Sequence, residues 1–315
     1  MFIGVDVGRS SAAAALTGND GQIICKCSRA VEPDWSAEKL CEEIVLLAQC
    51  AAKDGGALLD EIEAVGIGLP GLVDDQAGMV VRTPYMPFSN TPLRKLFQQI
   101  WDVPVYLGTN SNCAALGEYH AGAAKGCRSV VMLTVGTGIG GGFVMDGKLY
   151  TGMSNSAMEV GHMIVKPYGK ACRCGNYGCW EQYGSARALI HLTQSEMRRE
   201  RGGLLWDLCG GDLNNVSGRT AFAAARMRDP RAEQVVMSYL GGLSIGIINL
   251  INILQPEIIC LGGGISNEED DLLYDPLRKL VSAGTYYRKA GVRLERAKLG
   301  DDANLIGAAM LCKAS

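Results

Sequence analysis

Residues 159–181 read E-V-G-H-M-I-V-K-P-Y-G-K-A-C-R-C-G-N-Y-G-C-W-E and hold His162, Cys172, Cys174 and Cys179. One imidazole and three thiolates make up the full donor set of a tetrahedral structural zinc site. The C-x-C-x4-C spacing is tight, and Gly175 and Gly178 allow the sharp turns that bring three sulfurs to one ion. The competing reading is three buried thiols beside an unrelated histidine, since a reduced cysteine packs as a small hydrophobe. Only 3 histidines occur in the 315 residues, and one of them precedes this cysteine cluster, which favours zinc. Two carboxylates, Glu159 and Glu181, bracket the loop. A closed zinc site needs neither of them. They suit a second task, accepting hydrogen bonds from a polyhydroxylated ligand, although an isolated glutamate is by default a solvated surface group.

Outward from this loop the chain alternates strands with glycine-rich turns. Strand patterns cover 2–7, 10–17 and 22–31, with a G-N-D-G turn at 18–21. A helical pattern over 36–52 sets Leu40, Ile44, Leu47 and Ala48 on one face. Strands at 64–69 and 104–107, separated by a loop, lead into a helix over 111–124. The pattern then restarts with a strand at 129–135, the run G-T-G-I-G-G-G, and a strand from Phe143. Helices are expected at 186–200, 219–227 and 232–254, then a strand at 257–261 that ends in Gly262-Gly263-Gly264, and a small-residue helix at 303–311. This order implies α/β layers in two lobes. Residues 1–115 form the expected N-terminal lobe, with the helix 303–315 packed on it. Residues 116–302 form the C-terminal lobe, carrying the zinc loop and the nucleotide loops.

Composition narrows the function. Glycine accounts for 41 of 315 residues, about 13% against a usual ~7%, which points to many tight turns and backbone-lined ligand loops. A formal net charge of −3 gives no electrostatic case for nucleic acid. The 12 cysteines, with no secretion signal, argue for a reducing cytoplasm. The nine outside the loop (Cys25, Cys27, Cys41, Cys50, Cys113, Cys127, Cys209, Cys260 and Cys312) lack a repeating spacing and read as packing residues. The most apolar run, 240–254, contains Asn249 and Asn252 and reads as too short for a bilayer, hence as a buried helix rather than a membrane span.

The loop and the glycine turns together resemble the ROK family of sugar kinases and sugar-responsive repressors, whose hallmark is E-x-G-H followed by C-x-C-G-x-x-G-C-x-E. Residues 134–142, T-V-G-T-G-I-G-G-G, match the family's phosphate loop almost residue for residue. Asp6-Val7-Gly8-Arg9-Ser10-Ser11 stands at its D-x-G-G-T-K position, and Leu261-Gly262-Gly263-Gly264-Ile265-Ser266 resembles its adenosine-side loop. With Gly68-Leu69-Pro70-Gly71 and the ending L-G-D-D-A-N-L-I-G-A-A, the resemblance covers nearly the whole chain. It implies a two-lobed, actin-like (ribonuclease H-like) α/β sugar kinase fold with a zinc loop. It also implies structural zinc on His162, Cys172, Cys174 and Cys179, and, in an active protein, ATP with Mg2+. Asp6, Gly8, Ser10, Thr137, Gly138, Gly263 and Gly264 are the nucleotide contacts it implies, and Gly71, Asn110, Glu159, His162 and Glu181 the sugar contacts. The partners are a small sugar and a nucleotide, with a homodimer or homotetramer as the assembly, and with no nucleic acid or membrane.

The chain departs from the family's pattern at three places. Arg9, Ser10 and Ser11 replace a glycine, a threonine and a lysine in the first phosphate turn. Arg9 adds bulk and disfavours a positive φ there. Tyr85 and Phe88, in T-P-Y-M-P-F-S-N at 83–90, occupy the region of the family's Asn and Trp sugar loop. Residues 104–118 read P-V-Y-L-G-T-N-S-N-C-A-A-L-G-E, so Ser111 stands where the family's N-D-A-N motif carries its catalytic base. Serine suits the N-cap of the helix 111–124, so the fold should tolerate it, but its hydroxyl cannot take a proton at neutral pH. The reading is an ATP-dependent kinase of a hexose or amino sugar, acting at the 6-hydroxyl, with activity weakened or lost at Ser111. The alternative is a non-catalytic sugar-binding or regulatory pseudo-kinase. A repressor of the family would need a helix-turn-helix ahead of the first strand, and this chain opens on that strand.

Overall fold

A computed structural model describes residues 1–288 and 291–314. The first compact unit comprises Met1–Met132, Gly142–Met158 and Ala297–Ser315, and the second Leu133–Gly141 and Glu159–Arg296. A single break after residue 115 does not describe this division. The helix that begins at Asn110 packs wholly within the first unit, and the chain passes to the second unit partway along the β-hairpin that follows.

In the first unit, β1 (Phe2–Val7), β2 (Ser11–Thr17), β3 (Ile23–Ala30), β4 (Ala64–Leu69) and a later strand, β8 (Val105–Thr109), form one sheet in the order β3-β2-β1-β4-β8. β1 pairs antiparallel with β2 and parallel with β4. It lies at the centre, buried almost throughout, as its run of apolar residues interrupted only by Asp6 requires. β3 alternates half-buried and exposed residues, as an edge strand covered on one face does. That face lies under α1 (Ala37–Asp54), whose N-cap Ser36 accepts a hydrogen bond from the Lys39 amide and whose Leu40, Ile44 and Ala48 are buried. The stretch expected as a loop after β4 is instead a three-stranded sheet, β5 (Leu72–Asp74), β6 (Met79–Arg82) and β7 (Ser89–Thr91), followed by α2 (Leu93–Gln98). These strands are three or four residues long, too short to show an alternation in sequence.

Next come α3 (Asn110–His120), the hairpin β9 (Ser129–Val135) and β10 (Ile139–Met145), and β11 (Lys148–Leu149). β10 starts four residues before the expected Phe143, so Gly140, Gly141 and Gly142 belong to the strand and not to the turn. The second sheet runs β11-β10-β9-β12-β13, with β12 at Ile258–Gly262 parallel to β13 at Arg293–Arg296. The helices of the second unit are α4 (Glu181–Gly184), α5 (Ala186–Arg199), α6 (Leu204–Asp207), α7 (Thr220–Arg226), α8 (Pro230–Leu254) and α9 (Tyr274–Gly284).

With 25 residues α8 is long enough and apolar enough to cross a membrane, so shortness does not exclude a span. Its burial rests on packing instead: Leu240, Leu243, Ile247 and Leu250 are buried, and α5, α7 and α9 pack on it. The chain ends in α10 (Asp302–Ala309) and α11 (Leu311–Ala314) in the first unit, with α10 packed on β1 and α3.

Not all nine outer cysteines are packing residues, contrary to the expectation from their spacing. Cys41, Cys113, Cys127, Cys209 and Cys260 are buried, and the half-buried Cys27 and Cys312 pack against hydrophobic clusters, but Cys25 is only half-buried and Cys50 is exposed. Cys25 and Cys27 lie on β3, an edge strand of the first sheet among the described residues.

Candidate active site and metal centre

In the second unit the metal loop starts with a single 3-10 turn, Val160–His162, closed by the His162 amide donating to the Glu159 carbonyl at 3.0 Å. The cysteine run is held by its own backbone. The Cys172 amide donates to the Asn176 carbonyl at 2.8 Å and the Gly175 amide to the Cys172 carbonyl at 3.0 Å. Gly178 has a φ of 80°, and a Cβ on it would sit 1.8 Å from the Lys166 carbonyl oxygen, so no other residue fits. The loop is then anchored by Trp180, which is fully buried and donates its indole N–H to the Gly242 carbonyl of α8 at 3.0 Å. Gly246 on α8 leaves room for that indole, since a Cβ there would lie 2.1 Å from the ring.

The four donor atoms of His162, Cys172, Cys174 and Cys179 lie within 4.8 Å of one another. Cys172 Sγ is 3.7 Å from His162 Nδ1, and Cys174 Sγ is 3.6 Å from Cys179 Sγ. A zinc ion with bonds of ~2.3 Å to sulfur and ~2.0 Å to nitrogen sets tetrahedral edges of about 3.5 to 3.8 Å, so this donor set suits zinc in both chemistry and spacing. Cys179 is pushed up to about 12 by burial and by the two neighbouring thiols, while the Asn176 backbone amide holds Cys174 below its ordinary value. Crowding of this kind is what a divalent cation relieves.

The same unit brings the first glycine turn against the loop. Glu181, the first residue of α4, sets its Oε2 2.7 Å from where a Gly138 Cβ would stand, and its Oε1 accepts from Cys172 Sγ at 3.2 Å and from Gln182 Nε2 at 3.2 Å. Glu181 thus touches both the metal group and the Gly136–Gly138 turn. Gly161 packs on the start of β10, where a Cβ would be 2.2 Å from the Ile139 carbonyl oxygen. The Ala186 amide, at the start of α5, donates to the Gly136 carbonyl at 2.8 Å. Thr137 is exposed at the tip of the turn. Gly263, with a φ of 86°, packs on the end of β9 with 2.4 Å between its notional Cβ and the Val135 carbonyl oxygen. Gly136 and Gly264 face open space, so a ligand can approach either backbone. Glu159 is exposed, and its carboxylate has no hydrogen bond among the described residues.

The first unit holds the other predicted positions. Gly8, Arg9, Ser10 and Ser11 form a tight turn closed by the Gly8 amide donating to the Ser11 carbonyl at 2.8 Å. Arg9 does not take a left-handed backbone, so the expected conflict with a positive φ does not arise. Its guanidinium lies over the Tyr85 ring, 5.6 Å from the centroid, so two of the departures in sequence are one contact in space. Gly71 has a φ of 106° at the junction of β4 and β5, where a Cβ would be 2.1 Å from the Arg82 carbonyl oxygen.

Asp6 is the penultimate residue of β1. Burial pushes its carboxyl up to about 6, against an opposing hydrogen bond from Asn304, with the Asp301 charge raising it further. Its Oδ1 is buried without a hydrogen-bond partner among the described residues. Asn304 and Asp301 did not emerge as site residues from sequence reasoning. The only signal for them was the run D-D-A-N at 301–304, inside the family-like ending of the chain.

Asn110 donates from Nδ2 to the Val7 carbonyl at 3.2 Å, which fixes the start of α3 against the end of β1. The N-cap of α3 is Thr109, whose hydroxyl accepts from the Asn112 amide at 3.2 Å. Ser111 is therefore not the cap but the second residue of the helix, and it is half-buried. Gly142 is what lets this turn pack on β10, since a Cβ there would lie 2.6 Å from the Ser111 carbonyl oxygen.

Residues 2–315 match the profile of the ROK family. The chain is 34% identical over 318 residues to a glucokinase of Streptomyces coelicolor, covering 99% of this chain and 98% of that one. It is 30% identical over 309 residues to a putative xylose repressor of a Caldicellulosiruptor species, of which it covers 76%. Among solved structures it is similar to a ROK family glucokinase from Streptomyces griseus in complex with glucose and AMPPNP. There the TM-score is 0.80 at 34% identity, over 100% of this chain and 99% of that one.

Proposed function

Because the chain belongs to the ROK family, we propose that it is built as an ATP-dependent kinase of a hexose or amino sugar, acting at the 6-hydroxyl, with its turnover weakened or abolished at Ser111. The observation that carries the reading is the state of α3. Its cap, its bond from Asn110 to β1 and its seat on β10 are all intact, while the residue at the family's base position carries a hydroxyl. The similarity to a glucokinase solved with glucose and an ATP analogue supports the choice of ligands.

In this reading Glu159, His162 and Glu181 of the second unit contact the sugar, with His162 shared with structural zinc, and Gly71 and Asn110 are the sugar contacts that the first unit supplies. Gly8, Ser10, Thr137, Gly138, Gly263 and Gly264 cradle the nucleotide through backbone N–H groups and hydroxyls. Asp6, with an unpartnered buried oxygen, is the carboxylate suited to the nucleotide's Mg2+. Magnesium neutralises phosphate charge, and the loose transition state of phosphoryl transfer rewards positioning above all, so loss of the base reduces turnover without removing sugar binding. The second reading, a sugar-binding pseudo-kinase, is favoured by the Arg9–Tyr85 contact, which holds a bulky side chain of the first phosphate turn against the 83–90 loop. Either form would assemble as a homodimer or homotetramer.

The test is a coupled ATP-turnover screen over hexoses and amino sugars beside calorimetric sugar binding, on the wild type and on Ser111→Asp. A positioned base contributes ~10²- to 10⁴-fold. Ser111→Asp should recover a gain of that order in kcat with little change in sugar affinity, because the base acts in the transition state. A Ser111→Asp protein that binds sugar without turning over ATP shifts the block to Arg9. Failure of Arg9→Gly in that background then establishes the pseudo-kinase.

A further inference from the structure

Away from the glycine turns, the edge of the first sheet carries a second group of metal-type donors. Cys27 projects from β3, and Cys50 and Asp54 stand one turn apart at the C-terminal end of α1, which packs across that strand. Asp54 Oδ2 is 3.5 Å from Cys50 Sγ and 3.7 Å from Cys27 Sγ, and the three donor atoms lie within 4.8 Å of one another. These separations match the ~3.5 Å sulfur-to-oxygen edge of a tetrahedral zinc site, set by bonds of ~2.3 and ~2.0 to 2.2 Å. Asp54 has no ion pair among the described residues, so no cation of the protein occupies its carboxylate. Cys50 is exposed and Cys27 half-buried, which leaves a fourth position open to water.

The geometry points to a second, surface metal site made by Cys27, Cys50 and Asp54, which takes a thiophilic divalent cation of the zinc class and clips β3 to the end of α1. Binding forms two metal–sulfur bonds and one metal–oxygen bond, and the two thiol protons pass to the solvent. With three protein ligands in place of four, this site is weaker than the one in the second unit and is the first to yield its ion to a chelator.

The test uses the full chain, equilibrated in excess Zn2+, desalted and analysed for metal. Two equivalents per chain are expected, falling to one after dialysis against a mild chelator. Cys50→Ser should reduce the saturated value from two to one, whereas Cys174→Ser should leave the Cys27 site filled. Asp54→Asn, at an exposed helix end that tolerates the change, should weaken the second equivalent at least about tenfold. Co2+ loading should add a thiolate-to-metal absorption band that Cys27→Ser diminishes. A single equivalent in the saturated wild type, or a second equivalent indifferent to both Cys50→Ser and Asp54→Asn, overturns the site. So does a Cys27–Cys50 disulfide that, once reduced, still binds no second ion.

Discussion

Asp6 and Ser111 lie near the two ends of one contact, the Asn110 bond to the Val7 carbonyl, and they depart from ordinary behaviour in opposite ways. Ser111 carries a hydroxyl at the position where the proposed reading expects a catalytic carboxylate, and Asp6 keeps a carboxylate that the fold makes costly. Burial raises Asp6 from its ordinary 3.8 to about 6. A carboxyl whose folded-state value lies above its unfolded one binds its proton more tightly in the folded chain. Its contribution to stability is therefore fully present below about pH 4 and lost as the pH rises through about 6. A rise of that size corresponds to roughly 3 kcal/mol at most. Asp6→Asn should therefore raise the melting temperature at pH 7.5 and leave it almost unchanged at pH 4, as thermal unfolding at the two values will show. A stabilising change that also abolishes nucleotide binding would mark Asp6 as a residue kept for function at the expense of stability.

At the scale of elements the metal loop, the first glycine turn and α4 form a single packed cluster, with Glu181 in contact with both the thiols and Gly138. Removing one ligand should therefore disturb more than the metal. Cys174→Ala is expected to lower the zinc content of this loop from one to none and to weaken sugar binding with it, as elemental analysis and calorimetry on the same sample can establish. A metal-free variant with unchanged sugar affinity would separate His162 from the sugar. Much of this cluster was legible in sequence, because Cys and His donors at tight spacing and glycines beside them have few other uses. The metal group and the positions of the Gly136–Gly138 and Gly263–Gly264 turns lie where the residues implied. What could not be read were features settled by packing. Thr109 takes the cap that Ser111 seemed suited to, since either hydroxyl could serve and only the strand end at Thr109 decides between them. The glycines 140–142 read as loop because glycine weakens a strand, yet they lie in β10, and at Gly142 the missing side chain is what lets α3 approach the strand. Asn304 reaches Asp6 across almost 300 residues of chain, a separation no local pattern encodes.

For the molecule as a whole, that separation describes how the first unit is closed. Its sheet begins with the first residues of the chain and is covered by nearly the last, with α10 laid on β1 and α3. The contact is backbone on backbone. A Cβ on Gly307 would stand 1.6 Å from the Cys113 carbonyl oxygen, and one on Gly4 would stand 1.8 Å from the Leu305 carbonyl oxygen. Neither obstacle is the flexible end of a side chain, so neither can move aside without shifting a helix or a strand. Overpacking a core by a methyl group costs about 1 to 3 kcal/mol, and a clash with main chain belongs at or beyond the upper end of that range. Gly307→Ala should therefore lower the denaturant midpoint of the first unit markedly, although alanine is the better helix former at an exposed site. The metal loop supplies an internal control, because its ligands and Trp180 all lie in the second unit. Zinc retention in Gly307→Ala should persist at denaturant concentrations that already unfold the first unit, followed by the fluorescence of Trp35 and Trp101. An unchanged midpoint would mean that α10 rides loosely on the sheet, and that Asn304 is not held against Asp6 tightly enough to tune it.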